Sequence, residues 1–251
     1  MSESQKRHLR KIGIVFALEA EKQGLERVLS QSYTMLHSIK NQLSWKIGNV
    51  ELITTISGIG RKKCADATES LIHSGAKCII CAGYSAALSP DANVGDVVVA
   101  NRIHLLDKSA QILNNDPRLL KVVPPSDTFE FRIRWCDFIC CDSIVCSSLE
   151  KTQIHRATSA SALDMESYGA AEVCHNAGIP FLAIRSISDT SDQDLPPEVC
   201  TLASLESKTQ QILYALSQPG IWLKLMRLSK QTKTASQNLG DVLGLILLRL
   251  I

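Results

Sequence analysis

The chain has 251 residues, of which 45% are hydrophobic and 21% are charged, and its formal net charge is +2. This length suits one large domain that buries most of its apolar surface and needs no cross-links to fold. Because the two signs of charge nearly balance, the composition gives no electrostatic case for nucleic acid as the main partner.

Six short apolar runs rich in β-branched residues predict strands. They cover Ile12–Ala17, Val50–Ile56, Cys78–Ala82, Asp96–Ala100, Phe138–Ile144 and Phe181–Ile187. Helix-like patterns at Glu19–Leu29, Lys62–His73 and Met165–Ala177 lie between some of them. Apolar strands that alternate with helices indicate a largely parallel sheet covered on both faces. The predicted fold is a three-layer α/β/α sandwich with a central mixed, largely parallel twisted sheet that can curl toward a barrel.

Two regions are less regular. Leu105–Arg134 contains paired Asn and paired Pro and predicts a loop with a short helix. We expect residues 1–216 to form the main domain and residues 217–251 to form a helical extension packed on it. The extension has two interpretations, a helical hairpin packed on the sheet or on a second subunit, or a basic amphipathic element in peripheral contact with a membrane. Packing is favoured, because apolar helical stripes are usually core.

Nine cysteines lie mostly in apolar runs, and Cys78 and Cys81 form a C-x-x-C pair. Residues three apart in a strand point to opposite faces, which disfavours a metal site, so we expect no metal and reduced, buried thiols. No segment approaches the ~20 apolar residues of a membrane span. The apolar run after the basic N-terminus is too short for a signal peptide, so a cytoplasmic protein is expected.

Polar and small residues follow several predicted strands. They lie in the segments "ALEAE", "SGIG", "AGYSAAL", "LDMESYG" and "SISDTSD". In an open parallel sheet, ligands bind at the carboxyl ends of the strands, so these segments are expected to converge on one site. Each segment alone is also typical of an ordinary turn or helix start.

Four longer blocks contain these segments in a characteristic order. They are "KIGIVFALEAE", "ISGIGRKKCADATESLI", "CIICAGYSAALSPDANVGDVVVA" and "ALDMESYGAAEVCHNAGIPFLAIRSISDTSD". Together they resemble the nucleoside phosphorylase/nucleosidase superfamily, and within it the methylthioadenosine/S-adenosylhomocysteine nucleosidase type. The resemblance covers about residues 11–195, and the last block is its most specific part.

The resemblance implies a role for each matching residue. Asp189 matches a general acid that protonates the leaving base, with Ser188 orienting it, and burial beside an apolar strand would help it to hold a proton. Glu21 matches a residue that orients the attacking water or takes a proton from it. Glu166 matches a ligand of the ribose hydroxyls, and Met165 matches a residue packing on the ribose. The structural alternatives are a helix cap for Asp189, a surface glutamate for Glu166 and plain core for Met165.

The sequence also departs from the family pattern. Tyr84 replaces a small residue that contacts anion or water, and Ser85 beside it can substitute. Ile144 stands where nucleosidases stack an aromatic ring on adenine, and Asp164 replaces the commoner Glu before Met165. Cys81 stands where phosphorylases of the superfamily carry an arginine, which favours water over phosphate as the nucleophile.

The predicted function is that of an N-ribosyl hydrolase which releases adenine from a 5′-substituted adenosine of the methylthioadenosine/S-adenosylhomocysteine type, as in methionine salvage. The alternatives are a purine nucleoside phosphorylase, a nucleosidase for adenosylated hopane lipid and a non-catalytic nucleoside-binding protein. "DMES", "SDQDLPPEV" and "QPGIWLKLMRL" resemble a subgroup associated with hopanoid biosynthesis. No cofactor is implied, and the resemblance implies a homodimer. Arg185 is expected to be a structural ion-pair partner, and Asp192 and Asp194 to be solvated.

Overall fold

The computed structural model describes residues 11–39, 42–106, 110–204 and 221–251. The strands are β1 (Lys11–Phe16), β2 (Thr34–Ile39), β3 (Gln42–Ile47), β4 (Val50–Ile56), β5 (Cys78–Ala87), β6 (Val97–Leu105), β7 (Leu113–Asn114), β8 (Ile133–Cys140), β9 (Ala162–Asp164) and β10 (Phe181–Asp189). The helices are α1 (Glu19–Ser32), α2 (Arg61–His73), α3 (Pro117–Leu120), α4 (Ser148–Thr158), α5 (Ser167–Ala177), α6 (Pro197–Ser204) and α7 (Ile221–Leu250). A 3₁₀ turn covers Ser126–Thr128.

All described strands belong to one mixed sheet. Strands β1, β4, β3 and β2 form an open wing, in which β1 pairs in parallel with both β4 and β5. Strands β5, β10, β6, β8 and β9 form a closed ring, because β9 and β10 both pair with β5. The mixed α/β class and the curling of the sheet are therefore confirmed.

The two faces of the sheet carry separate cores, as a covered sheet requires. Along β1, Ile12, Ile14 and Phe16 point into a core shared with α1 and α7, whereas Val15 points into a core shared with α2 and α5. This alternation is the period of two that a strand imposes on its side chains. The three-layer arrangement follows from it.

Several elements differ from the sequence prediction. The hairpin β2–β3, strand β9 and helix α4 were not predicted, because their short segments mix polar and apolar residues. Strand β8 begins at Ile133 rather than Phe138. The sequence prediction missed its first half because that half carries charged residues, but the same half pairs in parallel with β6. Strand β5 continues to Ala87, because β10 pairs with it along most of its length. Gly83 and Ser85 therefore lie within a strand and not in a loop after it.

The C-terminal segment is one continuous helix over Ile221–Leu250, and not a hairpin. Its C-terminal apolar residues, including Leu243 and Ile246, are fully buried in the core shared with α1. The two helices cross where Gly24 of α1 meets Gly240 of α7, and the Ser236 hydroxyl accepts a hydrogen bond from the Gly24 amide at 2.9 Å. The division at residue 217 stays a prediction, since residues 205–220 lie outside the described part.

Within the described ranges, no helix has the length and apolar character needed to cross a bilayer.

Candidate active site

A cavity of about 440 Å³ lies at the carboxyl ends of β1, β5 and β10, bounded also by the start of α5 and by α7. It is lined by Ala17, Leu18, Glu21, Ile59, Tyr84, Ser85, Ala86, Ile144, Val145, Leu163, Asp164, Met165, Glu166, Ser188, Asp189, Leu195, Ser229 and Thr232. The eight residues that the sequence analysis selected for substrate and catalysis are all in this set. The structure thus brings together segments that are up to 168 residues apart, from Glu21 to Asp189.

Glu21 is held in place by backbone amides. It lies in the first turn of α1, where its Oε2 accepts hydrogen bonds from the amides of Ala17 and Leu18, both at 2.8 Å. Its Oε1 accepts from the Tyr84 amide at 2.9 Å. A Cβ atom on Gly83 would lie 2.7 Å from Oε1, so only glycine allows this approach. Burial raises the pKa of Glu21, and the hydrogen bond from Tyr84 opposes the rise.

Tyr84 has a structural explanation that the sequence did not show. Its hydroxyl lies 3.0 Å from the carbonyl oxygens of both Ala20 and Thr232. The ring therefore braces β5 against the start of α1 and against α7 while it lines the cavity. The neighbouring Ser85 hydroxyl is buried and has no hydrogen-bond partner within the described residues. A polar group in this state is available to a ligand, because an unpaired buried hydroxyl is costly.

Glu166 is the N-cap residue of α5, but it is not a surface glutamate. It is buried, and its Oε1 accepts a hydrogen bond from the Gly60 amide at 2.8 Å. Burial raises the pKa of Glu166 to about 8, the negative charge of Asp164 adds to the rise, and Arg185 opposes it. Met165 beside it lines the cavity and also packs on a small apolar cluster, and its role toward the ribose stays a prediction.

A buried ion pair lies behind the cavity wall. Arg185 Nε is 2.8 Å from Asp164 Oδ2, and Arg185 Nη1 donates to the Cys81 carbonyl at 2.9 Å. Asp164 Oδ1 also accepts from the Ser167 hydroxyl at 2.8 Å, at the start of α5. The expected structural role of Arg185 is therefore confirmed. The pair fixes β9, β10 and α5 relative to one another beside Glu166.

Replacing Glu166 by Gln is expected to stabilise the fold in a pH-dependent way. The pKa of Glu166 is about 8 in the folded protein against 4.5 for an unperturbed glutamate, so folding favours its protonated form. The stability that this proton contributes is complete at acidic pH, below the pKa of the unfolded chain, and is lost as pH rises through the folded pKa. Gln does not titrate and still offers an oxygen to the Gly60 amide.

The measurement is the thermal midpoint of both proteins at several pH values. The thermal midpoint of Glu166→Gln minus that of the unchanged protein should be small near pH 4, should grow toward pH 8 and should then level off. Glu69→Gln, at an exposed glutamate of α2, is the matched control and should show no such trend. A difference that shrinks as pH rises would contradict the raised pKa of Glu166 in the folded protein.

Asp189 is the last residue of β10, and both of its carboxylate oxygens have partners. The Ser188 hydroxyl donates to Oδ1 at 2.6 Å, which agrees with the predicted orienting role of Ser188. The Nζ atom of Lys151 donates to Oδ2 at 2.5 Å. Asp189 does not cap α6, which begins at Pro197, so the helix-cap alternative is wrong.

Lys151 is a residue next to the cavity that the sequence analysis missed. We expected burial alone to help Asp189 hold a proton, but the structure also places the buried ammonium of Lys151 at 2.5 Å from Asp189 Oδ2. A single lysine in a polar helix start usually indicates a solvated surface. The available signal is its spacing of three residues from Ile154, which places both side chains on the buried face of α4.

The segment after β10 is tied to α4 and the loop before it. The Ser148 amide donates to Asp194 Oδ1 at 2.6 Å, and the Leu195 amide donates to the Cys146 carbonyl at 2.8 Å. Asp192 and Asp194 are both exposed, in agreement with the prediction that they are solvated.

Cys146 and Cys200 form a disulfide between the loop after β8 and helix α6. The expectation that all thiols are reduced is therefore wrong for this pair, because the two segments meet only in the tertiary structure. The other seven cysteines are free, and six of them are buried. Among the described residues there is no cluster of three or more His, Cys, Asp or Glu side chains that could hold a metal ion.

The wall around these polar groups is mostly apolar. Ile144 and Val145 come from the loop after β8, Leu163 from β9 and Leu195 from the segment after β10. Ile144 therefore lies where the sequence analysis placed it in the site, and Val145 and Leu195 were not predicted. Such a wall excludes water from part of the cavity and suits the flat face of a heterocyclic ring.

Comparisons with known proteins agree with this architecture. A methylthioadenosine/S-adenosylhomocysteine nucleosidase of Shewanella pealeana is 28% identical over 208 residues, which is 74% of this chain and 89% of that protein. The solved futalosine hydrolase of Helicobacter pylori has a TM-score of 0.72 at 19% identity, over 96% of this chain and 98% of that one.

A methylthioadenosine/S-adenosylhomocysteine nucleosidase from Neisseria meningitidis, solved with methylthio-immucillin-A, has a TM-score of 0.71 at 20% identity and covers 95% of this chain and 99% of its own. The sequence model of the phosphorylase superfamily matches residues 11–216. This match spans most of the chain and contains all eight predicted site residues. The chain therefore belongs to the phosphorylase superfamily.

Proposed function

We propose that this protein is an N-ribosyl hydrolase that releases adenine from a 5′-substituted adenosine. The observation that carries the proposal is the lack of a cationic side chain among the described residues that line the cavity. Its described lining residues include four carboxylates, Glu21, Asp164, Glu166 and Asp189, and no Lys, Arg or His. The two cations behind the wall, Lys151 and Arg185, are each paired with one of these carboxylates.

The ionisable groups of the cavity determine which nucleophile it accepts. A phosphate dianion needs cationic side chains as partners, and the described lining residues offer carboxyl groups instead. Water carries no charge and can be oriented by a carboxylate. Hydrolysis is therefore favoured over phosphorolysis, in agreement with Cys81 at the position where phosphorylases carry an arginine.

The proposed mechanism uses the three central carboxyl groups in different roles. Cleavage of the glycosidic bond develops positive charge on the ribose and negative charge on the leaving base. Glu166 accepts hydrogen bonds from the ribose hydroxyls, and these bonds strengthen as the ribose becomes cationic. Glu21, held by three amides, orients the water and takes the proton that the water loses on attack. Asp189 takes up a proton from solvent, donates it to the leaving base and is left as a carboxylate. No step of this scheme requires a cofactor.

The substrate is proposed to be of the methylthioadenosine/S-adenosylhomocysteine type, which implies a place in methionine salvage. The nucleosidase relatives and the apolar cavity wall support this choice. A second candidate is an adenosine with a large apolar 5′ group, such as an adenosylated hopane lipid. It is supported by α7, which contributes Ser229 and Thr232 to the cavity. The part of α7 before these two residues has the apolar and basic sequence "IWLKLMRL".

Three further features belong to the proposal and rest on the sequence. A homodimer and a cytoplasmic location are proposed from the family resemblance. A peripheral membrane contact is proposed for residues 221–228, whose side chains lie outside the described residues. The disulfide between Cys146 and Cys200 makes the location worth testing directly, since such bonds are rare in reducing compartments.

The test is release of adenine or hypoxanthine from methylthioadenosine, S-adenosylhomocysteine, adenosine and inosine, each with and without phosphate. We expect adenine and a free pentose, at a rate that phosphate does not change. Formation of a pentose 1-phosphate only when phosphate is present would establish a phosphorylase instead. Saturable binding without base release, seen also with a 5′-alkyl adenosine of long chain length, would indicate a binding protein and overturn the proposal.

A further inference from the structure

Lys151 is the most deeply buried cation beside the cavity that the proposed mechanism does not itself require. Its side chain is 0% exposed. Its ammonium donates to Asp189 Oδ2 at 2.5 Å, to the Thr190 carbonyl at 2.9 Å and to the Gln193 carbonyl at 2.9 Å. An ammonium has three N–H donors, and here each has one acceptor.

Lys151 reaches the cavity only through Asp189. It is not one of the residues that line the cavity, whereas Asp189 and Ser188 are. A nucleoside in the cavity would therefore contact the carboxylate and not the ammonium. Any influence of Lys151 on the reaction must act through the position and charge of the Asp189 carboxylate.

We propose that Lys151 is a positioning residue for the proposed hydrolysis, which holds the Asp189 carboxylate in place and stabilises the charge left on it after proton transfer to the base. The inference rests on the proposed function, because it needs Asp189 to act as the acid. Ser188 fixes one carboxylate oxygen and Lys151 fixes the other. The charge on the carboxylate is complete only after the proton has left, so the attraction of Lys151 increases along the reaction and lowers the barrier more than it aids binding.

A role as a simple anchor for the segment after β10 explains the arrangement less well. Two hydrogen bonds already attach that segment, one from the Ser148 amide to Asp194 and one from the Leu195 amide to the Cys146 carbonyl. The disulfide between Cys200 and Cys146 is a third attachment. A buried ion pair is in general weak evidence for stability, because removing two charges from water costs as much as their attraction returns. The choice of a buried lysine here is better explained by its effect on Asp189.

The experiment compares Lys151→Met with Asp194→Ala in the full-length protein. Met keeps most of the aliphatic side chain and removes the charge, whereas Asp194→Ala removes a different tie of the same segment and leaves Asp189 and Lys151 intact. For Lys151→Met we expect kcat to fall roughly 10–100-fold, as is typical when the partner of a catalytic group is lost, with KM within about threefold. For Asp194→Ala we expect kcat within about threefold of the unchanged protein, because an exposed cap affects mainly stability.

A rescue experiment separates positioning from folding. Lys151→Ala leaves a space that a small alkylammonium ion can enter, so propylammonium is expected to restore part of kcat, and uncharged propanol is not. Lys151→Arg retains the charge and should keep more activity than Lys151→Met, which provides a comparison even if the Met variant folds poorly. Equal losses in Lys151→Met and Asp194→Ala, or the same activity with Arg and Met, would overturn the inference.

The two proposals fail in different ways. If the unchanged protein releases no base from any nucleoside, the proposed function is wrong. If it releases base and Lys151→Met does so with the same kcat, the function stands and the role of Lys151 is wrong.

Discussion

Asp189→Asn is expected to lower kcat for base release by about 10³-fold, in the upper part of the range typical of a lost general acid. Asn cannot donate a carboxyl proton to the leaving base, while its similar size leaves the cavity wall at the end of β10 unchanged. The measurement is steady-state release of adenine by the purified variant. Asp192→Asn is the matched control, because Asp192 is a nearby exposed carboxylate and should keep full activity. Equal activity of Asp189→Asn and the unchanged protein would exclude Asp189 as the acid.

The same substitution also tests the ion pair. In Asp189→Asn the buried ammonium of Lys151 keeps two carbonyl acceptors but loses the opposite charge, so we expect a loss of about 2 kcal/mol in the free energy of unfolding. The double variant Asp189→Asn/Lys151→Met removes the unpaired cation and should recover part of this loss. Urea unfolding of the single and double variants measures both effects. A double variant less stable than Asp189→Asn would contradict this account of the pair.

Gly240→Ala is expected to cost about 3 kcal/mol in the free energy of unfolding, as a large overpacking effect. A Cβ atom at position 240 would lie 2.2 Å from the carbonyl carbon of Gly24, so α7 would have to move away from α1. Backbone atoms cannot adjust as a flexible side chain can. Because α7 also contributes Ser229 and Thr232 to the cavity, the variant should lose activity together with stability.

Gly244→Ala is the matched control for this prediction. It lies one turn further along α7, where an added Cβ would meet only side-chain carbons of Val28, the nearer of them at 2.8 Å. A small side-chain movement relieves that contact, and Ala is the better helix former by about 1 kcal/mol, so little net change is expected. Chemical unfolding and adenine release are measured for both variants. Equal stability of Gly240→Ala and Gly244→Ala would show that the close crossing at Gly24 does not limit the packing of α7.

Most of the sheet could be predicted because its central strands are rich in β-branched and apolar residues. β4 is an example, since the predicted bounds Val50–Ile56 are those observed. The hairpin β2–β3 could not be predicted in this way. Its residues alternate or mix polar and apolar types, and it is a strand pair mainly because β4 offers a free edge to it.

The candidate site was predicted well for residues that follow or end buried strands. Glu21, Glu166 and Asp189 lie in three distant segments, and the parallel strands bring their carboxyl ends to one edge of the sheet. Their identification depended also on the family resemblance, since each motif alone fits a turn or a helix start. Ile144 was placed in the site although its predicted strand ends earlier, at Cys140.

The sequence by itself therefore determined the α/β class, the main strands, the superfamily and the carboxylates at the strand ends, because these depend on local periodicity and on short motifs. Only the tertiary structure decided the closure of the ring, the pairing of Lys151 with Asp189, the disulfide of Cys146 with Cys200 and the crossing of α7 on α1. The physical reason is that these features join residues far apart in the chain, and a lysine or a cysteine carries no local sign of its partner. The environment of the proposed acid is such a feature, since its cation comes from a helix 38 residues earlier in the chain.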